Sequence, residues 1–256
     1  MKSGDHCIYV SSVDSTNQYV KRIISNYKIK SGTVVYTFDQ YEGLGQYGTQ
    51  WYSQNGKSLA FSMYYEPLSL SPEHVFTLNM LVSNGLAAGL QSLLPGHNVK
   101  IKWPNDIVVE DDKLAGVLIQ NALKKQVVLH SVIGIGVNVN QTHFEASYSR
   151  KPTSMALLTS LENDPGKVLH TLLQSLNHHL PASMPLQKPK VLFEKTREVY
   201  LDRLYGYDKW QTFQRSDSTI FQGKVINVEP DGRICITDQE GNLQKYDLKE
   251  ISWVTR

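Results

Sequence analysis

The feature that most constrains the fold of this chain is a lysine at the end of a predicted strand, directly before a sharp turn. Apolar residues alternate with lysines over residues 99–102, and this period of two predicts a strand with one buried face. Pro104 favours extended backbone at the preceding tryptophan, and the Asn-Asp pair that follows is typical of turns. Lys102 should therefore project from a sheet at a fixed position.

A second lysine returns to the same region on the next hairpin. Residues 107–109 predict an outgoing strand, residues 110–112 a turn and residues 113–119 a return strand, which would carry Lys113 back toward Lys102. Two ammonium groups that converge on one pocket repel each other unless an anion lies between them, and a ligand phosphate or carboxylate suits that place. The alternative is a pair of solvated strand lysines.

An alternating glycine strand predicts a floor for a ligand. Over residues 133–140 the isoleucines and valines share one face, and Gly134, Gly136, Asn138 and Asn140 share the other. The second face lacks side chains at two successive positions, as in a strand whose backbone lies against a ligand. A β-bulge or a tight helix contact at the glycines is the alternative.

Glycines also dominate a loop that follows a predicted strand at residues 34–38. Gly43, Gly45 and Gly48 form a G-x-G-x-x-G string, but no helix opens at the last glycine, so a dinucleotide-binding turn is not expected. Polar residues lead instead to a predicted strand at residues 58–65. Such a loop could close over an anion with its backbone N–H groups, or it could be an ordinary hairpin connection.

Small polar residues begin the first predicted helix. Ser15 and Gln18 fit a capping box, and apolar residues at helical spacing follow as far as Tyr27. A cap alone would explain this pattern. Ser15, Thr16 and Asn17 also form a compact set of donors and acceptors for a ureido or amide group.

Together these four segments resemble the class I biotin protein ligases. The matching motifs are the Ser-Thr-Asn near the N-terminus, the glutamine and Gly-x-Gly-x-x-Gly-x-x-Trp loop, Lys-Trp-Pro-Asn-Asp followed by Lys-x-x-Gly, and Gly-x-Gly-x-Asn-x-Asn. The likeness covers the whole chain, and the Lys-Trp-Pro-Asn-Asp run is its most specific part. It implies a two-step enzyme. Biotin and MgATP would form biotinyl-5′-adenylate and pyrophosphate, and a lysine of a biotin carboxyl carrier protein would then attack the adenylate.

The resemblance also implies roles for individual residues. Lys102 would stabilise the pentavalent transition state, Lys113 would bind the biotin carboxylate and the α-phosphate, and Asp106 could orient or deprotonate the carrier lysine. The other biotin-binding residues would be Ser15, Thr16, Asn17, Gln40 and Gly116. The adenylate and ATP would contact Gly43, Leu44, Gly45, Gln46, Gly48, Trp51, Asn105 and Asn138.

Three details of this expected site depend on single residues. Magnesium should be held mainly by phosphate oxygens, with Asn138 nearby. Trp51 suits either an aromatic wall for adenine or a place in the core. Family members commonly carry arginines in the glycine loop, whereas this chain has Leu44, Gln46 and Thr49 in those places. This departure puts retention of the adenylate in doubt.

The predicted elements divide the chain into two domains of an α+β fold. A catalytic domain at residues 1–209 would pack helices on a mixed β-sheet, with helices at residues 72–94, from Asp164-Pro165 onward, and through Phe193 to Leu204. Residues 210–256 predict short strands separated by turns. The resemblance implies that this module is a small SH3-like β-barrel.

Composition fits a cytoplasmic protein, either a monomer or a weak homodimer, without a membrane partner. No apolar run approaches the roughly 18 residues that span a membrane, and Cys7 and Cys235 are too few for a disulfide framework. A net charge of +2 without a basic run gives no reason to expect a nucleic-acid partner.

Two other functions are alternatives to biotin ligation. A lipoyl or octanoyl ligase or transferase acting on a carrier-domain lysine shares the catalytic fold, but the extended Lys-Trp-Pro-Asn-Asp motif and the C-terminal module favour biotin. A biotin-sensing repressor would need a DNA-binding winged helix. Ser15 comes too early for such a domain to fit ahead of it.

Overall fold

A computed structural model describes residues 4–67, 70–125, 127–144, 150–181 and 189–254. The helices are α1 Thr16–Asn26, α2 Val75–Leu93, α3 Met155–Thr159, α4 Pro165–His179 and α5 Pro189–Asp202. The strands are β1 His6–Tyr9, β2 Thr33–Thr37, β3 Gly43–Leu44, β4 Gln50–Trp51, β5 Ser58–Tyr65, β6 Val99–Lys102, β7 Asp106–Val109, β8 Asp112–Lys124, β9 Val127–Asn138, β10 Trp210–Arg215, β11 Ile220–Val228, β12 Ile234–Asp238, β13 Leu243–Tyr246 and β14 Ile251–Trp253. These elements confirm the predicted α+β class.

The main layer is a seven-stranded mixed sheet in the order β1-β2-β5-β9-β8-β7-β6. Strands β1 and β2 pair in parallel, and the other neighbours pair antiparallel. The β6, β7 and β8 strands form the predicted double hairpin. The register shift between β8 and β9 lies at Ala122 and Leu123, far from Gly134 and Gly136, so the glycines do not mark a bulge.

Helices cover both faces of this sheet. Successive residues of β2 enter different apolar clusters: Val34 packs in the large core with α2 and α4, and Val35 packs with Val20 of α1. Because successive strand residues point to opposite faces, α1 lies on the face opposite to α2. None of the helices in the described ranges is both long and apolar enough to cross a membrane.

The predicted C-terminal β module is a five-stranded antiparallel sheet in the order β13-β12-β11-β10-β14. Turn residues predicted its first four strands. The three-residue β14 was missed because it is too short to show a period of two. The helix predicted through Leu204 ends at Asp202, and Leu204 instead forms a bridge with Ile101 at the edge of the main sheet.

The C-terminal sheet packs against the Lys-Trp-Pro-Asn-Asp segment. The Trp103 indole Nε1 donates to the Gly232 carbonyl at 2.9 Å, and its ring centre lies 6.4 Å from that of Trp253. Gly232 lies so close to Phe76 that a Cβ would come within 2.6 Å of the ring. One apolar core therefore includes residues from both sides of the predicted boundary between residues 209 and 210. That boundary stays a prediction.

Candidate active site

A cavity of about 250 Å³ opens on the α1 face of the main sheet. It lies where the start of α1 and the glycine loop meet the Lys102 turn, β8 and β9. The predicted site residues that line it are Ser15, Thr16, Asn17, Gln40, Leu44, Gly45, Gln46, Trp51, Lys102, Asn105, Asp106, Lys113 and Gly116. Its lining does not include Gly43, Gly48 or Asn138. Sequence segments far apart are thus brought to one cavity.

An ion pair occupies the cationic end of the cavity. Lys113 Nζ lies 2.8 Å from Asp106 Oδ1, and the two side chains are 29% and 30% exposed. The same ammonium lies 5.5 Å from the Trp51 ring centre. The sequence predicted that an anion lies between the lysines, and in the structure the chain's own Asp106 pairs with one of them. A bound anionic ligand would compete for Lys113.

Lys102 lies near two other cations, Arg150 and Lys113. Burial lowers the pKa of Lys102, Arg150 and Lys113 lower it further, and Asp106 acts in the opposite direction. Its Nζ lies 5.1 Å from the centre of the Trp253 ring. Sequence reasoning missed both Arg150 and Trp253 because neither belongs to a recognisable motif. A partly buried cation at this position is suited to stabilise negative charge on a phosphoryl group.

A hydrogen-bonded network occupies the opposite end. Ser62 Oγ lies 2.7 Å from Thr16 Oγ1 and 2.6 Å from Asn17 Oδ1. The Asn17 amide donates to Gln120 Oε1 at 3.1 Å and to the Leu118 carbonyl at 3.3 Å. Ser62 was not predicted, although a serine between Phe61 and Met63 in the buried β5 is a usable signal. This end offers neutral polar groups rather than charge.

The predicted capping box at the start of α1 is wrong. Ser15 is the N-cap residue, but its side chain makes no capping hydrogen bond. The Gln40 side-chain oxygen instead accepts from the Thr16 N–H at 2.9 Å, because a bridge between Val13 and Gln40 brings it to the helix N-terminus. The local signal was overridden by a contact between distant segments. Gln40 thereby joins the polar end of the cavity, as predicted.

The glycine strand forms the cavity floor, but side chains of this protein already lie on it. A Cβ at Gly134 would overlap the Asn17 amide, and one at Gly136 would lie 2.5 Å from Trp51 Cε2. The same indole covers Gly116. Within the described part of the chain, Trp51 Nε1 has no hydrogen-bond partner although it is buried. The glycines are needed for these side chains to approach the sheet.

The glycine loop is a short hairpin with one 3-10 turn, Gln46–Gly48, rather than the start of a helix. Gln46 Nε2 donates to Asn105 Oδ1 at 3.1 Å, and Asn105 Nδ2 donates to the Val117 carbonyl at 3.1 Å. Residues 40–56 contain no lysine or arginine. The loop is thus held to the Lys102 turn by neutral hydrogen bonds.

Asn138 lies outside the cavity lining. Its Nδ2 donates to the Thr153 carbonyl at 2.9 Å, and its side chain is buried. The described residues contain no cluster of three or more His, Cys, Asp or Glu side chains that could hold a metal ion. The contact of Asn138 with nucleotide or magnesium stays a prediction.

Comparison with known protein families gives a match in the part of the chain that carries the cavity. The model of the biotin/lipoate A/B protein ligase family matches residues 9–138, a range that contains every residue lining the cavity. The bifunctional ligase/repressor BirA of Escherichia coli K12 is 34% identical over 245 residues, which cover 94% of this chain and 71% of that protein. The BirA protein of Bacillus subtilis is 26% identical over 95% of this chain and 73% of its own length.

Solved structures share the fold at lower identity. The biotin protein ligase of Aquifex aeolicus, solved with biotin and ATP, superposes with a TM-score of 0.76 at 22% identity and covers 98% of this chain and 100% of that one. The Leishmania major biotin protein ligase with biotinyl-5-AMP gives a TM-score of 0.60 at 17% identity, over 95% of this chain and 99% of that one. The family match and the E. coli relative show that this chain belongs to the biotin/lipoate A/B protein ligase family.

Proposed function

We propose that this protein is an ATP-dependent biotin protein ligase that forms biotinyl-5′-adenylate and transfers biotin to one lysine of a biotin carboxyl carrier protein. The observation that carries the proposal is a single cavity with Lys102, Lys113 and Asp106 at one end and a neutral polar network at the other. The names of the relatives support it, since they include a biotin–[acetyl-CoA-carboxylase] ligase from Paracoccus denitrificans.

In the first step, a biotin carboxylate oxygen attacks the α-phosphorus of ATP. A new P–O bond forms, the bond between the α-phosphorus and the β-phosphate oxygen breaks, and pyrophosphate leaves with that electron pair. Negative charge grows on the phosphoryl oxygens, where Lys102 and Lys113 would stabilise it. The ion pair between Lys113 and Asp106 would break when the biotin carboxylate and the α-phosphate bind to Lys113.

In the second step, the neutral amine of a carrier lysine attacks the carbonyl carbon of the adenylate, and AMP leaves. Release of Asp106 from Lys113 would free its carboxylate to orient this amine and to accept the proton that the amine loses. One ion pair of the free protein would thus serve both steps. Lys113 would bind the mixed anhydride, and Asp106 would orient the incoming lysine and accept its proton.

The polar end of the cavity favours biotin over lipoyl and octanoyl groups. The ureido ring of biotin carries two N–H donors and one carbonyl acceptor, which suit the hydroxyl and amide groups of Thr16, Asn17 and Gln40. An octanoyl chain or a lipoyl dithiolane offers no comparable polar partners. Buried polar groups that lose their partners discriminate strongly against such analogues.

The adenylate requires a larger cavity than the free protein provides. Small-molecule sites typically enclose about 300–1,000 Å³, whereas this cavity has about 250 Å³. The Trp51 indole fills the space over Gly136. The proposal therefore includes displacement of Trp51 from the floor, after which its ring could stack on adenine.

Magnesium belongs to the proposal as an ion bound through ATP phosphates. The donor groups that line the cavity fit this arrangement, because Asp106 is its one carboxylate and already pairs with Lys113. The ion would neutralise phosphate charge. A cytoplasmic location, a monomer or weak homodimer, and the absence of a nucleic-acid partner complete the proposal.

A panel of carboxylic acids tests the substrate. Pyrophosphate release with MgATP should be supported by biotin and not by lipoate or octanoate at equal concentration. A Thr16→Val variant, which removes one hydroxyl of the polar end, should reduce the rate with biotin. Preferred activation of lipoate or octanoate by the wild type would overturn the assignment in favour of a lipoyl or octanoyl ligase.

A further inference from the structure

A second cleft adjoins Lys102 on the side of the C-terminal sheet. We call it the Arg150 cleft. Its charged lining residues are Asp111, Asp112, Arg150 and Lys151, and Tyr205 and Trp253 also border it. Trp253 connects it with the active-site cavity, because the ring centre lies 5.1 Å from Lys102 Nζ. The cleft therefore begins where the proposed phosphoryl chemistry takes place.

Arg150 is a buried cation without an anionic partner among the described residues. The residue is 8% exposed, and in the described ranges none of its three guanidinium nitrogens has a hydrogen-bond partner. The guanidinium carbon lies 4.7 Å from the centre of the Tyr205 ring, a cation–π contact. That contact leaves the N–H donors unsatisfied. An unpaired buried charge is costly, so its presence in a cleft points to an anionic ligand.

The acidic groups nearby are engaged with other residues. The Tyr205 hydroxyl donates to Asp111 Oδ1 at 2.5 Å, and Lys151 Nζ lies 2.7 Å from Asp112 Oδ2. The pKa of Tyr205 is raised, first by burial and then by its hydrogen bond to Asp111, whereas a polar contact with the Arg150 side chain lowers it. Apart from its contacts with Tyr205, Arg150 has no partner among the described residues and is available to an incoming anion.

Trp253 supplies a second unsatisfied donor at the same cleft. Among the described residues its buried indole Nε1 has no acceptor. Two donors of different residues, one charged and one neutral, therefore border one cleft without acceptors. A multivalent oxyanion could satisfy both.

The charge of the nucleotide indicates which anion this is. At the active site Lys102 and Lys113 face one carboxylate, Asp106, and the glycine loop adds no cation. In the proposed adenylation Lys102 and Lys113 stabilise the α-phosphoryl group, so a further cation would be needed to pair with the β- and γ-phosphates of ATP. Arg150 is close enough to Lys102 to lower its pKa. A planar guanidinium is also well suited to pair with phosphate through two parallel hydrogen bonds.

We propose that Arg150 binds the β- and γ-phosphates of ATP and then the pyrophosphate that leaves. The inference rests on the proposed adenylation. As the bond from the α-phosphorus to the leaving oxygen breaks, the electron pair stays on pyrophosphate, and Arg150 stabilises that charge by donating hydrogen bonds. No proton is transferred. Biotinyl-5′-adenylate lacks these phosphates, so the second step does not use Arg150.

Three variants and three measurements test this assignment. Arg150→Gln removes the charge, Arg150→Lys keeps it without the planar fork, and Lys100→Gln removes a charge that lines neither the active-site cavity nor the Arg150 cleft. We measure calorimetric binding of inorganic pyrophosphate, the KM for ATP in biotin-dependent pyrophosphate exchange, and biotin transfer from supplied biotinyl-5′-adenylate. Loss of a charge-assisted contact predicts about a ten- to hundredfold weaker pyrophosphate affinity and a similarly raised KM for ATP in Arg150→Gln. Arg150→Lys should lie between this variant and the wild type.

The controls separate this role from a structural one. Lys100→Gln should bind pyrophosphate like the wild type, and Arg150→Gln should transfer biotin from supplied adenylate at the wild-type rate. Because it loses an unpaired buried charge, Arg150→Gln should not have a lower Tm than the wild type without ligand. An unchanged pyrophosphate affinity in Arg150→Gln would overturn the proposal, and so would an equal loss in both half-reactions.

Two further outcomes keep the test decisive. If Arg150→Gln does not fold, Arg150→Lys decides, and wild-type pyrophosphate affinity in that variant would contradict the phosphate contact. Pyrophosphate binding to the wild type requires neither biotin nor carrier. A protein that binds pyrophosphate through Arg150 but does not use biotin would refute the proposed function and leave the Arg150 assignment standing.

Discussion

Replacement of Lys113 tests whether its charge serves catalysis or the stability of the fold. The Lys113→Met variant keeps the aliphatic stem next to Gly116 and removes the ammonium that pairs with Asp106. Both partners are about 30% exposed, so solvent screens the pair. Its loss should therefore change the free energy of unfolding by no more than about 1 kcal/mol.

The effect on adenylation should be much larger. Lys113 would contact both the biotin carboxylate and the α-phosphate, and one lost contact of this kind at a transition state costs about 3 kcal/mol, or roughly a hundredfold in rate. Biotin-dependent ATP–pyrophosphate exchange measures this step without the carrier. We expect at least that loss, with urea unfolding close to wild type.

Lys100→Met is the matched control. Lys100 lies on β6, in the adjoining hairpin and outside the cavity, and its Nζ donates to the Asp202 carbonyl at 3.1 Å. It should exchange pyrophosphate at the wild-type rate. Near wild-type exchange in Lys113→Met, combined with failed transfer to the carrier, would refute the reasoning and place Lys113 in carrier recognition.

Three other predictions follow from single contacts. Burial lowers the pKa of Lys102, so kcat/KM for adenylation should decline on the alkaline side at a lower pH than it would with an ordinary lysine. Lys102→Arg should move this decline to higher pH. An unchanged pH profile in this variant would exclude Lys102 as the cause of the decline. Between the lowered pKa of Lys102 in the folded protein and its higher pKa in the unfolded chain, the unfolded chain binds more protons. The contribution of Lys102 therefore makes the free energy of unfolding rise with pH in that range. Trp103→Phe leaves the Gly232 carbonyl without its donor and should lower the free energy of unfolding in urea by about 1–3 kcal/mol. Trp253→Phe loses no hydrogen bond within the described part of the chain and is the control. Equal losses in the two variants would refute the role of the bond between Trp103 and Gly232. Gly136→Ala should displace the Trp51 indole, visible as changed tryptophan emission together with altered adenylation, and an unchanged spectrum would contradict the packing.

Local patterns predicted the parts of the site that depend on short-range chemistry. The period-two alternation and turn residues placed Lys102 and Lys113 on adjoining hairpins, and glycine spacing predicted the strand that forms the floor. Strand pairing preserves such patterns, because each side chain has a fixed face. The same reasoning predicted four of the C-terminal strands.

Contacts between distant segments were beyond the reach of these patterns. Gln40 replaced the local cap at Ser15, and Asn17 and Trp51 filled the space above the glycines, because tertiary packing supplied better partners than the neighbouring residues did. Arg150 does not belong to a recognisable sequence motif. Its proposed role depends on its burial and on donors that have no hydrogen-bond partner in the part of the chain that the structure describes.

The mass of a carrier domain tests the central claim most directly. The protein is incubated with MgATP, biotin and a biotin carboxyl carrier domain, and intact mass is measured, with a carrier lacking the acceptor lysine as the control. The account predicts a gain of one biotinyl group on the intact carrier and none on the control. No gain on a carrier that another ligase biotinylates would contradict it.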